Sequence, residues 1–436
     1  MSSPNATHRF RPSTSDPKCH HVTAALPYFN PTHALLTPTA PHTKPEDASS
    51  SAPPASDRPS HHDQPKPPST GIAYKWTSRN NRKGRHALKI DPTRVPAESQ
   101  RIAPHPTASW LRTTRGIWRM ATVYPVWDIS YDVATIFTLG SVIWVINAFF
   151  VWLPLVQPDT EFKDEELYGG GITAFIGATI FEVGSILLLA EAVNEDRTGC
   201  FGWALERAMS HNGSKGEKDS NDSYRLRPSR SQCAHHHLNK SNLVGKGNAI
   251  NSAPHQPNRT WTWFPSPRDL RAHYIHELGF LASLTQFLAA TVFWISGFTA
   301  LPGIYNNLSR PLTIIFYWTP QVIGGTGFIL SGLLFMLETQ ARWYKPALGT
   351  LGWWIGAWNL VGGIGFTLCP AFGYDEDSWA QYQACLSTFW GSWAFLVGSA
   401  LQWYESLEKW PVEVDRSHRN EKGDEVVRHE EVRVSQ

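Results

Sequence analysis

The sequence lacks the patterns that mark common catalytic sites. It has no glycine-rich phosphate loop, no serine nucleophile elbow and no convincing acid–base pair of carboxylates. Its histidine groups at 233–237 and 273–277 are isolated, whereas a membrane di-iron oxidase needs several spaced clusters. These absences predict that the protein is not an enzyme and that it holds neither a metal nor another cofactor. Nothing in the sequence indicates nucleic-acid binding.

Charge is nearly absent from six long segments. A helix needs about 20 apolar residues to cross the ~30 Å hydrocarbon core of a bilayer. Soluble core helices are rarely this long, this rich in tryptophan and this poor in charge. The sequence therefore predicts an all-α membrane protein with six transmembrane helices, at 133–156, 170–190, 278–301, 317–337, 348–369 and 384–404.

Apolar periodicity is missing from residues 1–115, which hold 18 of the 32 prolines. Such a stretch cannot bury enough apolar surface to offset its chain entropy. We therefore expect a disordered N-terminal tail at 1–115, a disordered polar loop at 201–270 and a disordered tail at 411–436. The start of the chain also has no apolar run behind its basic residues, so no cleaved secretory signal is expected.

Lysine and arginine are scarce in one set of loops. The loop QPDTEFKDEELY after the first span has five acidic residues and one lysine, and PAFGYDEDSWAQYQ after the fifth has no basic residue. The opposite side is basic, with twelve Lys and Arg between residues 194 and 277. Because cytosolic loops collect Lys and Arg, both termini are predicted to be cytosolic. The plasma membrane and an endomembrane both remain open.

An internal repeat is visible in the spans. Phe175 to Ala192 and Phe389 to Ser406 are identical at 8 of 18 positions without gaps, and the fourth span fits the same frame. The pattern predicts three parallel two-helix repeats, at 116–200, 271–340 and 341–410. Small residues let membrane helices approach closely, so we assign repeat packing to Gly177, Phe181, Gly184, Gly324, Phe328, Gly391, Phe395 and Gly398.

The pattern Gly-x3-Phe-x2-Gly-Ser resembles the YrhK-like family of small two-helix bacterial membrane proteins. Gly177, Phe181, Gly184 and Ser185 carry the likeness, and the third repeat matches it again from Gly391. The three hairpins together, over residues 116–410, are similar to fungal six-span integral membrane proteins of uncharacterised function. The resemblance implies the fold and brings no activity with it.

Glu182 is the one acidic residue near the middle of a predicted span. An ionised carboxylate there would cost several kcal/mol unless it faced a polar cavity. The odd spans share a Leu-Gly-x6-(Asn or Gln) pattern that ends at Asn147, Gln286 and Asn359. These amides could converge on Glu182 as a polar ring suited to proton or cation passage. Alternatively, Glu182 bonds one neighbour and locks a helix pair.

Three further carboxylates, Glu191, Glu338 and Glu405, end the even spans. A carboxylate at a helix C-terminus opposes the helix dipole and needs a compensating partner. Arg342 and Lys409 stand four residues after Glu338 and Glu405, respectively, and could pair with them. A basic residue of an adjacent repeat is a second option, and an ion-binding vestibule is a third.

Cys369 and Cys385 bracket the last non-cytosolic loop and could form a disulfide, or could simply be small buried residues. The leading functional hypothesis is a proton-coupled transporter or channel for a small solute or ion. The alternative is a membrane scaffold or sensor without a permeation path, whose tails bind cytosolic proteins. The lipid bilayer is a partner under both hypotheses.

Overall fold

The computed structural model describes residues 18–37, 71–93, 106–195, 197–202, 204–205 and 261–414. It confirms the helical membrane architecture, with six helices long and apolar enough to cross a bilayer. We call them spans 1 to 6: Ile129–Val156, Glu166–Val193, Leu278–Thr299, Arg310–Glu338, Leu351–Gly373 and Ser378–Leu407. Span 2 begins with a π-helical turn, Glu166–Gly170, and span 4 contains one at Ile314–Trp318, after its first α-helical turn.

The six spans form a closed ring. Each span packs against its neighbours in sequence, and span 6 packs back against span 1. Short loops at one end join the helices of each predicted hairpin. The carboxylates Glu191, Glu338 and Glu405 lie at the other end, which we call the basic end because the Lys- and Arg-rich segments attach there; the opposite end is the acidic end.

A five-stranded sheet is attached to the basic end. Its strands follow the order β1 (Lys18–Thr23), β2 (His33–Thr37), β3 (Ile72–Thr77), β4 (Ala87–Ile90) and β5 (Val412–Val414). Neighbouring strands are antiparallel except β4 and β5, which are parallel. The prediction of disorder was therefore wrong for residues 18–37, 71–93 and 411–414, and also for residues 106–115, where a helix begins at Trp110. Each of these strands is short, and its apolar face is completed only by distant segments, so no local periodicity marked it.

Short helices lie outside the ring in the described part of the chain. Helix α1 (Ser78–Arg82) connects β3 to β4, α2 (Trp110–Thr122) precedes span 1, and α3 (Pro267–Ala272) precedes span 3.

The edges of the predicted disordered loop 201–270 are ordered as well. Phe201 and Trp261 pack in a buried cluster with Ile129 of span 1, and Asn194 bonds the backbone of Thr262. The prediction is corrected for these edges, which the aromatic side chains hold against the bundle. Residues 206–260 lie outside the described part of the chain.

Candidate functional site

A network of buried ion pairs closes the basic end of the ring. Arg82 donates to Glu338 from Nε (3.1 Å) and Nη2 (2.8 Å), and its Nη1 lies 3.3 Å from Glu191. Arg79 donates to Glu405 through Nε (3.2 Å) and Nη2 (2.7 Å). The carboxylates of three different spans are thus neutralised by cations from one short segment.

Two more cations complete this network. Lys83 Nζ lies 3.4 Å from Glu191 Oε1, and Arg85 Nη1 donates to Glu405 Oε1 at 2.8 Å. All three carboxylates are 0–1 % exposed. Removing one partner of such a pair leaves an uncompensated buried charge, which typically costs 3–5 kcal/mol. The contacts therefore fix residues 79–85 against the ring.

Helix α1 presents its cations on one face. Residues three and four apart lie on the same side of a helix, and this places Arg79, Arg82 and Lys83 together. Thr77 caps the helix by accepting from the backbone N–H of Asn80 at 3.1 Å. Burial lowers the pKa of Lys83 to about 8; nearby arginines also lower it, and Glu191 opposes the shift.

Two glycines leave room for the arginine side chains. A Cβ added at Gly279 would lie 2.8 Å from Arg82 Nε, and one at Gly352 would lie 2.5 Å from Arg79 Cδ. Both belong to the Leu-Gly pattern of the odd spans. Gly140, the glycine of the same pattern in span 1, makes no room for an arginine, because a Cβ there would meet the ring of Phe181.

The suggested i,i+4 partners of the carboxylates were wrong. Arg342 is exposed and donates to Tyr344 Oη at 2.7 Å. Lys409 pairs with Asp128 at 2.7 Å and donates to the carbonyl of Lys83 at 3.0 Å. The carboxylates face the bundle interior, whereas these two cations follow after the helices have ended and point elsewhere.

A second cluster ties the N-terminal segment to the ring. Nε2 of His273 lies 3.0 Å from Glu277 Oε1 and 3.8 Å from Glu195 Oε1. Asn81 of α1 donates to Glu195 Oε2 at 2.6 Å. The three His and Glu ligand atoms lie within 4.8 Å of one another, an arrangement that could hold a metal ion. The histidine is thus not isolated in the fold, although it is isolated in the sequence.

An aromatic cluster fills the centre of the ring. The ring centroids of Trp144 and Phe366 are 4.9 Å apart, those of Trp144 and Phe293 5.7 Å, and those of Phe366 and Phe395 5.2 Å. Every one of the six spans supplies one side chain, each at most 5 % exposed: Trp144, Phe181, Phe293, Phe328, Phe366 and Phe395. This aromatic cluster separates the two ends of the bundle.

A small central cavity of about 30 Å³ lies between the ion pairs and the aromatic cluster. All six spans contribute to its wall, so it lies on the axis of the ring. Gln286, Asn359, Ser399 and Gln402 supply polar atoms, and Arg82 is among the cations that cover it. This space suffices for about one or two water molecules.

The predicted amide ring is not formed. Gln286 and Asn359 line the central cavity, but Phe137 occupies the corresponding place in span 1. Asn147 lies beyond the aromatic cluster, where it donates to the carbonyl of Gly170 at 2.6 Å. Spans 3 and 5 begin at the leucine of their Leu-Gly pattern, whereas span 1 begins well before its own. The amide of span 1 therefore lies nearer the acidic end, and for this reason the expectation failed.

Glu182 does not face the axis. Its Oε1 accepts from Thr291 Oγ1 of span 3 at 2.9 Å, and Ser185 Oγ lies 3.4 Å from Oε2. Thr291 is exposed on the flank of the bundle. Phe181 faces the centre, and the next residue on a helix is rotated by about 100°. The result corresponds to the alternative in which Glu182 bridges one helix pair.

The residues assigned to repeat packing lie at close helix contacts. A Cβ at Gly177 would lie 2.9 Å from Trp144, and one at Gly324 would lie 2.7 Å from Phe293 Cβ. The positions of Gly184, Gly391 and Gly398 are similarly tight, with 3.2 Å to the nearest atoms of the neighbouring span.

A larger cavity of about 570 Å³ opens at the acidic end, with Trp144 and Phe293 of the aromatic cluster among its lining residues. All six spans line it, and its size falls in the usual range for small-molecule sites. Its polar and aromatic wall comprises Asn147, Glu161, Asp164, Glu166, Ser296, Tyr305, Asn306, Tyr317, Trp318, Gln321, Gln381 and Thr388. Among the described residues that line it, none is a lysine or an arginine.

Cys369 and Cys385 also line this acidic-end cavity, and both are free thiols. The suggested disulfide is therefore absent. The two residues lie within spans 5 and 6 rather than in the short connecting loop, because both helices extend beyond the predicted ends.

Sequence reasoning missed the cations of residues 79–85, which form the other half of the ion-pair network. The one available signal was the basic run SRNNRKGRH in a tail otherwise rich in proline. No protein-family model, no curated protein and no solved structure matches this chain. The likeness to the YrhK-like hairpin stays a sequence-based prediction.

Proposed function

We propose that the protein moves a small cationic solute across its membrane and that the structure represents a state open at the acidic end. The observation that carries this proposal is the order of features along the axis of the ring. An open cavity, an aromatic cluster, a small polar cavity and an ion-pair closure follow one another, each contributed by all or several of the spans.

The wall of the acidic-end cavity favours a cation. Glu161, Asp164 and Glu166 supply negative charge, and Tyr317 and Trp318 supply aromatic faces that can attract an ammonium group. Low-dielectric walls that carry one sign of charge raise the local concentration of the opposite ion.

The carboxylates at the basic end favour a cationic solute as well. Glu191, Glu338 and Glu405 must be neutralised wherever they are buried. In the closed state the cations of residues 79–85 neutralise them. When that segment moves away, a cationic solute passing along the axis can take its place. Residues 79–85 and the solute thus compete for the same three carboxylates.

Thiol chemistry tests the cavity without knowledge of the solute. Relative to the rates with a small free thiol, Cys369 and Cys385 should react with a trimethylammonium-ethyl thiosulfonate about tenfold faster than with the sulfonate-ethyl analogue. In the Asp164→Asn/Glu166→Gln variant this preference should fall toward unity. Glu376→Gln is the matched control, because Glu376 pairs with Arg310 outside this cavity.

Transport itself is tested in proteoliposomes with radiolabelled tetraethylammonium as the cationic probe and benzoate as the anionic control. Uptake of the cation alone is expected, and the Asp164→Asn/Glu166→Gln variant should reduce it. Equal labelling by both thiol reagents would refute the cationic preference.

The scaffold hypothesis has one observation in its favour: residues near both chain ends are folded onto the basic end as one sheet. A charge preference in labelling without uptake of any probe, also after Arg82→Met, would favour a sensor or scaffold over a transporter.

A further inference from the structure

Helix α2 (Trp110–Thr122) carries an unpartnered apolar face. None of its residues is buried in the described structure, and Trp110, Leu111, Ile117 and Trp118 are 57–79 % exposed. At 100° per residue these four side chains fall on one side of the helix. An exposed face with two tryptophans is unusual for a surface in contact with water.

The basic residues of α2 lie on its opposite side. Arg112 and Arg115 are exposed, and Arg119 donates from Nη2 to the carbonyl of Leu407 at 2.7 Å. A short helix with bulky apolar groups on one face and arginines on the other is typical of helices that lie in a membrane interface.

The position of α2 determines which surface can cover its apolar face. A Cβ at Gly116 would lie 2.5 Å from the ring of Tyr404 in span 6, so one edge of the helix is held against the basic end of the ring. Only residues 123–128 separate α2 from span 1. Span 1 itself exposes Leu139, Val142 and Ile146 on its lipid-facing surface, so the exposed apolar face of α2 immediately precedes a lipid-exposed helix in the chain.

We infer that α2 lies in the membrane interface at the basic end, with Trp110, Leu111, Ile117 and Trp118 in the acyl boundary and Arg112 and Arg115 on anionic headgroups. Arginines near a membrane surface gain attraction from anionic lipid. This inference does not depend on transport, because it rests on the faces of α2 and its attachment to span 6.

Depth-dependent quenching tests the position of the helix. The full chain with Trp118→Cys is labelled with an NBD fluorophore and reconstituted in phosphatidylcholine vesicles with or without 30 % phosphatidylserine. Lipids spin-labelled near the headgroup end of the acyl chain act as quenchers, and the signal of the labelled wild-type chain is subtracted. Tyr28→Cys is the matched control, because Tyr28 is 85 % exposed in the loop between β1 and β2.

The Trp118→Cys label should lose at least half of its fluorescence to the quencher, while the Tyr28→Cys label should be unaffected. Phosphatidylserine should increase the quenching, and Arg112→Gln/Arg115→Gln should remove that increase. An unquenched Trp118→Cys label would overturn the inference. Equal quenching with and without phosphatidylserine would overturn the headgroup recognition. If the label at Trp118→Cys became less quenched as the protein-to-lipid ratio rose, a second copy of the chain would cover the apolar face. That result would also overturn the inference.

Discussion

Arg82 is the residue on which closure of the basic end depends most. It donates twice to Glu338 and lies 3.3 Å from Glu191, and its side chain is 2 % exposed. Arg82→Met keeps most of the side-chain volume but leaves Glu338 without its two donors from Arg82. Breaking a buried pair in this way costs about 3–5 kcal/mol. This corresponds to an increase of about 10²- to 5 × 10³-fold in the undocked population of residues 71–93.

Hydrogen exchange of the amides in β3 and β4 measures this population in lipid nanodiscs. Arg342→Met is the control, since Arg342 lies at the same end but its exposed side chain donates to the Tyr344 hydroxyl; its effect should stay within about 0.5 kcal/mol. Arg82→Met/Glu338→Gln removes both charges and should recover at least half of the lost protection, because Lys83 still accompanies Glu191. Equal exchange in Arg82→Met and Arg342→Met would refute the assignment.

Three other changes test separate parts of the structure. Gly352→Ala should displace Arg79 and cost about 1–3 kcal/mol in thermal stability, whereas Gly349→Ala, with open space around it, should have no effect. Burial and Lys75 lower the pKa of His33 to about 4 from 6.5, against the opposing charge of Glu413. As the pH falls, His33 is therefore protonated in the undocked strand before it is protonated in the folded protein. The free energy of docking β2 should weaken by at most about 3 kcal/mol between pH 6.5 and pH 4. In His33→Gln this loss should vanish from exchange profiles of residues 33–37, and an unchanged profile would contradict the burial argument. Glu182→Gln should shift the melting temperature by no more than a few degrees, because an amide can still accept from Thr291; a large loss would indicate a role on the axis.

The spans were predictable because length and hydropathy alone decide whether a helix can cross a bilayer. The direction in which Glu182 points was not predictable. Neighbouring side chains on a helix differ in direction by about 100°, and no local signal says which face of the helix points inward. Phe181, its neighbour, already occupied the inward face.

The carboxylates Glu191, Glu338 and Glu405 were identified from the sequence as groups that needed partners, and that requirement was correct. Their partners could not be deduced, because Arg79 and Arg82 lie more than 100 positions away along the chain. Nearby cations such as Arg342 satisfied the local spacing and were chosen for that reason. Long-range pairing of this kind is visible only when the fold brings the segments together.

The parallel pairing of β4 with β5 has a consequence for how the chain is made. The arginine-bearing segment is synthesised first, and Glu405 follows Arg85 only 320 positions later, just before β5. At about 5–20 residues per second, roughly half a minute separates Arg85 from Glu405 on the ribosome. Until then the cationic segment has no complete set of partners. Closure of the basic end therefore requires that translation has passed the sixth span, because Arg79 and Arg85 lack their Glu405 partner until then.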